Sequence, residues 1–319
     1  MKISVAMTTY NCEKYVIEQL ESIFKQTRPV DELMICDDGS VDTTKTLVTE
    51  FIRSHNLQKS WFFHENVENK GCTRNFIECA LMTTGDIVLY SDHDDIWDEN
   101  KVELLEKGFI DNPDALLVAH RYVSVAEDGK TPVVSADRYF VNDNSVVKLP
   151  FSEAIHNMSI GGAVFAVKRA LIADTAFLSL EKGLSHDLPV GCVAAAKGGL
   201  FMVNTTLMSR RVHSGNLSMP TNGHPLKELR NSVYEKITSR AYTAKFYKEI
   251  LDFVKDIISD NDKNNLKIAS EVMERQALAL EKRNPFKAMS DIFITNPMID
   301  KTRILINIYC IIFGKYRRD

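Results

Sequence analysis

What the chain lacks narrows it first. No C-x-x-C pair occurs among its six cysteines (Cys12, Cys36, Cys72, Cys79, Cys192 and Cys310), and their scattered spacing suits free thiols in a reducing compartment. No G-x-G-x-x-G follows the first apolar segment and no G-x-x-x-x-G-K-[ST] occurs anywhere, which removes the dinucleotide and Walker phosphate cradles. There is no basic stripe interleaved with aromatics, and a net charge of −4 leaves no footprint for a nucleic-acid partner. The opening apolar segment is too short for a signal peptide, running by residue 8 into polar Thr8-Thr9-Tyr10-Asn11. The longest apolar run, residues 304–313, falls short of the roughly 20 residues that span a bilayer. Internal repeats and low-complexity tracts are absent as well. The expectation is a cytoplasmic globular protein of 319 residues, 45% hydrophobic and 26% charged, built as one large or two modest domains.

What is present alternates. Residues 3–7, 32–36, 61–64 and 86–90 read as strands. Helices are expected between them: one capped by Asn11, with Val16, Leu20, Ile23 and Phe24 on one face; one capped by Asp42 or Thr43; and one over residues 74–82. Strands alternating with helices imply a mostly parallel sheet covered on both faces. Three loops then share the sheet edge where the strands end, namely Thr8-Thr9-Tyr10, Asp37-Asp38 and Asp92-His93-Asp94-Asp95. Ligands of open α/β sheets bind at that edge. Three carboxylates within four positions repel one another unless a cation sits between them, and hard divalent cations choose oxygen ligands. Asp37 or Asp38 can accept from a base N–H, Tyr10 can stack on a base, and Arg74 can place a guanidinium against base or phosphate. Each also has a duller reading as turn residue, packing aromatic or surface ion pair. Their common edge is what favours a site.

In this order and spacing, the start ISVAMTTYN, the turn CDDGSVDTT, the loop NKGCTRN and the stretch SDHDDIW resemble the family 2 glycosyltransferases of GT-A fold, in particular the bacterial rhamnosyltransferase-like group. The resemblance spans roughly residues 1–220. It implies a Rossmann-like, mixed but mostly parallel sheet flanked by helices. It also implies a nucleotide-diphosphate-sugar donor, a divalent metal (Mn²⁺ or Mg²⁺) and inversion at the anomeric carbon. The resemblance favours dTDP-rhamnose as donor, with a UDP-hexose the other. Carried over, Thr8, Thr9, Tyr10, Asp37, Asp38 and Arg74 contact the nucleoside, and Asp92-His93-Asp94 is the D-x-D motif. Asp94 is then the direct metal ligand, with Asp92 near ribose or metal waters. His93, where the group typically has Gln, lies against the donor without an assigned role, and Asp95 caps the following helix.

Further along, residues 99–110 and 152–158 read as helices, and 115–125, 160–167 and 200–208 as strands. Residues 131–150 read as a long acceptor-binding loop. Gly161-Gly162 marks either a close backbone approach or a bulge. By the resemblance, Asp187 in Ser185-His186-Asp187 is the base that deprotonates the acceptor hydroxyl, a role compatible with its also capping the following helix. His213 completes the metal site, and Arg210 or Arg211 offsets leaving-group charge. From residue 225 the composition shifts to helix formers, with helices expected over about 229–260 and 266–282. The apolar 304–313 run and its basic tail suit peripheral membrane contact, a homodimer contact or packing on the rest of the chain. The expected acceptor is a glycan or lipid-linked saccharide of bacterial surface polysaccharide synthesis, reached from the inner face of the membrane. A nucleotidyltransferase, or a non-catalytic nucleotide-sugar-binding assembly protein, is the competing reading. The first lacks its glycine-rich activating loop, and the second has no need of the metal and base carboxylates retained here.

Overall fold

The computed structural model describes residues 1–133, 142–156, 161–216 and 233–313. Two compact units divide it, Met1–Pro220 and Thr221–Asp319. In the first, β1 (Ile3–Thr9), β2 (Glu32–Asp37), β3 (Trp61–Glu65) and β4 (Ile87–Ser91) pair in parallel, in the order β3-β2-β1-β4. Apart from β3, at the edge, these strands are buried along their whole length, so their near-continuous apolar runs are what a sheet covered on both faces requires. Helices α1 (Val16–Phe24), α2 (Thr44–Ser54) and α3 (Cys72–Met82) connect them.

Beyond β4 the sheet turns mixed. A strand β5 (Ile96–Trp97) and helix α4 (Lys101–Asp111) lead to β6 (Leu117–Val125) and β7 (Val146–Lys148). Helix α5 (Phe151–His156), a 3₁₀ turn (Gly162–Val164) and β8 (Phe165–Lys168) follow. Helices α6 (Arg169–Leu180) and α7 (Leu188–Ala196) precede the long β9 (Leu200–Arg211). β8 lies antiparallel between β4 and β6, while β6 and β9 are parallel and β5 and β7 run antiparallel to β9. The nine described strands form one sheet, the GT-A-type arrangement expected.

Several local expectations shift. Asn11 does not cap α1: it sits at φ +46°, its side chain accepts from the Val41 N–H, and α1 starts only at Val16. Asp95 does not cap α4, which follows Asn100; it is 3% exposed and folded under the acidic turn. The expected strand over 160–167 begins as a 3₁₀ turn, because Gly162 must pass close to neighbouring side chains. The expected loop over 131–150 contains β7, and its residues 134–141 lie outside the described set, as do 157–160 of the expected helix and strand there.

In the second unit, α8 (Val233–Val254) packs on α9 (Asp260–Glu281), whose first turn is capped by Ser259 accepting from Asp262 N–H at 3.1 Å. A short α10 (Pro285–Met289), a 3₁₀ turn (Ser290–Phe293) and α11 (Lys301–Phe313) complete it. Its core joins Ala279, Leu280, Ile306, Cys310 and Ile311. The basic end of the chain, 314–319, lies outside the described residues. Among the described residues no helix is long and apolar enough to cross a membrane.

Candidate active site

The strand ends β1, β2 and β4 deliver the acidic groups to one place because the three pair in parallel, with Thr9 opposite Asp37 and Met7 opposite Ser91. Asp37 is 1% exposed and turned inward. It accepts from the Thr9 hydroxyl at 2.7 Å, the Ser40 hydroxyl at 2.6 Å and the Ser40 N–H at 2.8 Å, so it braces the turn. Asp38 accepts from Asn66 Nδ2 at 2.9 Å, Lys70 N–H at 2.8 Å and Gly71 N–H at 2.9 Å, which ties the β3–α3 loop to the β2 end. Tyr10 is exposed at the rim, and Thr8 is buried with its carbonyl 3.2 Å from His93 Nδ1. His93 therefore anchors the acidic turn to β1. Arg74 is exposed on α3 and ion-paired with Glu78 at 2.7 Å, the surface-pair geometry.

Asp94 and His213 meet across 119 residues of sequence: His213 Nε2 lies 2.8 Å from Asp94 Oδ2, and Asn216 Nδ2 donates to the same oxygen at 2.9 Å. The Gly215 N–H donates to His213 Nδ1 at 3.1 Å, so the ring proton sits on Nε2 and points at the carboxylate. Asp92 stands beside this pair, and its carboxylate takes no hydrogen bond from a described residue. Burial pushes Asp92 up to about 6, the Asp94 charge adds to that, and His186 and Arg210 pull the other way. Burial likewise raises Asp95 well above the usual carboxylate range, with Asp92 and Asp94 reinforcing it. Among the described residues no three His, Cys, Asp or Glu side chains gather as a ready metal cage. The pair itself, one carboxylate and one imidazole, has the donor chemistry of a Mn²⁺ or Mg²⁺ site that draws its remaining ligands from elsewhere.

Asp187 opens α7. Its Oδ1 accepts from the Leu188 N–H at 2.8 Å, and its Oδ2 from the Gly162 N–H at 3.1 Å. A side chain at Gly162 would come 3.0 Å from both His186 Nε2 and the Tyr90 ring, so the glycine reflects a close approach. His186 stacks on Phe76 with ring centroids 4.3 Å apart. At the start of α3, burial pushes the Cys72 thiol up to about 12, with the charges of Asp92, Asp187 and Asp38 contributing in the same direction.

β9 alternates its side chains, and the two arginines at its end part company. Arg210 acts on Asp92 and Asp95, lowering both. Arg211 is 2% exposed and turned into the protein. Its Nε donates to the Asp94 carbonyl at 3.0 Å, its Nη1 donates to the Glu127 carbonyl at 2.6 Å, and its Nη2 pairs with Glu18. It also lies 4.9 Å over the Tyr15 ring, which in turn packs 4.8 Å from His213. Sequence reasoning offered both arginines to the leaving group; Arg211 is instead the brace beneath Asp94. Also unforeseen was Lys101, fully buried, 3.8 Å over the Trp97 ring and donating to the Ala163 carbonyl at 2.9 Å. Only its place at the start of an amphipathic helix was visible in sequence.

The chain is similar to known glycosyltransferases in sequence and fold. A glucosyltransferase of Escherichia coli, WfgD, described as UDP-Glc:alpha-D-GlcNAc-diphosphoundecaprenol beta-1,3-glucosyltransferase, is 25% identical over 187 residues, 56% of this chain and 65% of that protein. An uncharacterised glycosyltransferase of Mycoplasma genitalium is 31% identical over 110 residues, 34% of this chain and 37% of that protein. The chain thus spans between about a third and two thirds of the length of these relatives. Among solved structures, Staphylococcus aureus TarS in complex with UDP superposes with a TM-score of 0.57 at 16% identity, covering 88% of this chain and 92% of that one. A Pyrobaculum calidifontis mannosyltransferase in complex with GDP-Man and Mn²⁺ gives 0.53 at 16% identity, covering 98% and 88%. At such identities these two support the fold alone. The model of the family described as "Glycosyl transferase family 2" matches residues 4–172, more than half of the 319. With its GT-A sheet and the carboxylates at that sheet's edge, the chain belongs to glycosyltransferase family 2.

Proposed function

We propose that this chain is an inverting, metal-dependent glycosyltransferase that moves a sugar from a nucleoside-diphosphate donor to a hydroxyl of a glycan or lipid-linked saccharide in polysaccharide synthesis. The observation that supports the reading is the Asp94–His213 contact at 2.8 Å, at the sheet edge where β1, β2 and β4 end and where His93 ties the acidic turn to the Thr8 carbonyl. Asp38, Thr8, Thr9 and Tyr10 frame the nucleoside, and Asp38 does so while holding the loop at Lys70 and Gly71. Solved neighbours hold UDP, UDP-GlcNAc and GDP-Man, which weighs toward a UDP-hexose over dTDP-rhamnose as donor. The lipid-diphosphate saccharide in the name of the Escherichia coli relative supports a similar acceptor class.

Asp94 and His213 would hold the divalent ion, which supplies Lewis-acid charge to the diphosphate. For Nε2 to face a cation the imidazole would carry its proton on Nδ1 instead, which would need the Gly215 N–H to turn away from that atom. Asp187 takes the proton of the attacking acceptor hydroxyl as the new O–C bond forms on the anomeric carbon. The bond from that carbon to the diphosphate oxygen breaks on the opposite face and its electron pair leaves with the diphosphate. The Gly162 and Leu188 N–H groups fix the carboxylate of Asp187 for this, so little reorganisation is needed at the moment of transfer. Arg210, which faces Asp92 and Asp95, adds positive charge on the diphosphate side.

The test is thermal unfolding with a panel of nucleotide sugars, each with and without Mn²⁺, followed by donor turnover. A ligand that binds only the folded chain raises its melting temperature by mass action. Asp94→Ala is expected to abolish the Mn²⁺-dependent rise and the transfer while leaving the fold intact; full metal-dependent transfer by that variant sinks the assignment. A non-catalytic donor-binding protein would show the Mn²⁺-dependent rise without any donor hydrolysis or transfer.

A further inference from the structure

The second unit carries an apolar surface that its own core does not use. α11 is apolar on two sides: Ile304, Ile306, Cys310 and Ile311 are buried, while Leu305, Tyr309 and Ile312 are more than half exposed at i, i+4, i+7 spacing. The neighbouring α10 and the 3₁₀ turn after it repeat the pattern. There Ala288 and Asp291 face inward, and Phe286, Met289 and Phe293 face water, with Phe286 at 81% and Phe293 at 85% exposure. Single exposed apolar residues are ordinary; six on adjoining elements within 27 residues, two of them fully presented phenylalanines, are not. α10 and the turn both pack against α11.

Positive charge predominates around this surface, although Arg303 pairs with Asp300 at 3.5 Å. Residues 282–313 hold Lys282, Arg283, Lys287, Lys301 and Arg303 against two aspartates, in a chain whose net charge is −4. One of the two, Asp291, is buried and satisfied by Arg275 Nε at 2.9 Å and Gln276 Nε2 at 2.7 Å, so it does not offset the surface. All five cations are exposed. Exposed bulky apolar and aromatic side chains set among exposed cations match the acyl-headgroup boundary of an anionic bilayer, where apolar groups enter and Lys or Arg meet phosphate. A second copy of the same surface would bring like charges together. We infer that α10, the following turn and α11 form a peripheral docking face for an anionic lipid bilayer. This goes beyond the transfer reaction and does not depend on it.

The experiment is co-sedimentation of the full chain with vesicles of phosphatidylcholine alone or mixed with phosphatidylglycerol, across a salt series. Binding is expected on the anionic vesicles only, weakening as salt rises. The triple variant Phe286→Ser/Phe293→Ser/Tyr309→Ser should bind about tenfold more weakly with its melting temperature little changed, since Phe286 and Phe293 lie largely in water and Tyr309 is half exposed. Lys287→Gln/Lys301→Gln should flatten the salt dependence. Absence of binding to anionic vesicles, or equal binding by the triple variant, overturns the inference. So does a concentration-dependent dimer that the triple variant dissociates while no vesicle binding is seen.

Discussion

Replacing Arg211 by Met tests whether the site is held from beneath. Methionine keeps much of the apolar stem and removes the guanidinium. The Asp94 and Glu127 carbonyls lose donors at 3.0 and 2.6 Å. Each such charge-assisted bond is worth about 1.5 kcal/mol net. The cation over the Tyr15 ring contributes about 0.5 kcal/mol more. Glu18 is 48% exposed and rehydrates once its partner is gone, so the ion pair itself adds little. The total is about 3–4 kcal/mol, or about 6–16 °C in melting temperature at the 2–4 °C per kcal/mol expected of a unit this size. Differential scanning fluorimetry, with and without Mn²⁺, measures both consequences. The melting temperature should fall by that amount, and the Mn²⁺-dependent rise should need a higher metal concentration, because the Asp94 backbone is no longer fixed. Arg211→Lys, which can reach one acceptor but not three, should lie between. A drop of less than about 2 °C with an unchanged metal response refutes the bracing argument.

Three more outcomes follow from the same geometry. Asp187→Asn retains an N-cap side chain, so its melting temperature should stay close to the parent while transfer collapses and donor binding persists; equal turnover removes Asp187 as base. Gly162→Ala places a methyl 3.0 Å from His186 and Tyr90 and should lower turnover by shifting the N–H that holds Asp187, with donor affinity little changed in a calorimetric titration. Burial holds Lys101 down at about 7, from 10.5 for the free side chain. Between those values the unfolded chain binds a proton that the folded chain does not, so this group makes stability rise with pH above 7, by at most about 1.4 kcal/mol per pH unit. The stability of the parent relative to Lys101→Met, compared from pH 7 to 9, should therefore increase; a flat or falling difference contradicts it.

The legible parts of the fold were those with a period. The buried strands ending at Asp37 and Ser91, and amphipathic helices such as α2, announce themselves by spacing. α7, with the sequence LPVGCVAAA, is apolar all round and has no face to detect, and β5 spans only two residues. The three acidic loops shared an edge because parallel pairing puts strand ends together, and that much follows from alternation alone. The Asp94–His213 contact spans 119 residues, and the Arg211–Glu18 pair spans 193. No local pattern encodes such distances, and for His213 only the family motif pointed the right way. For the adjacent arginines the motif left Arg210 or Arg211 open, and strand alternation turns Arg211 inward beneath Asp94.

That alternation bears on how this chain can change over generations. β9 sets Arg210 toward the acidic turn and Arg211 beneath it, and its pairing with β6 already passes two register shifts, at His120/Arg121 and Arg121/Val123. Losing or gaining one codon in β9 would exchange the two faces. It would turn Arg210 inward and expel the arginine beneath Asp94, although no residue type had been altered. Drift in length should therefore collect in the connections, such as residues 126–145 between β6 and β7, while β9 keeps its count even where its side chains vary.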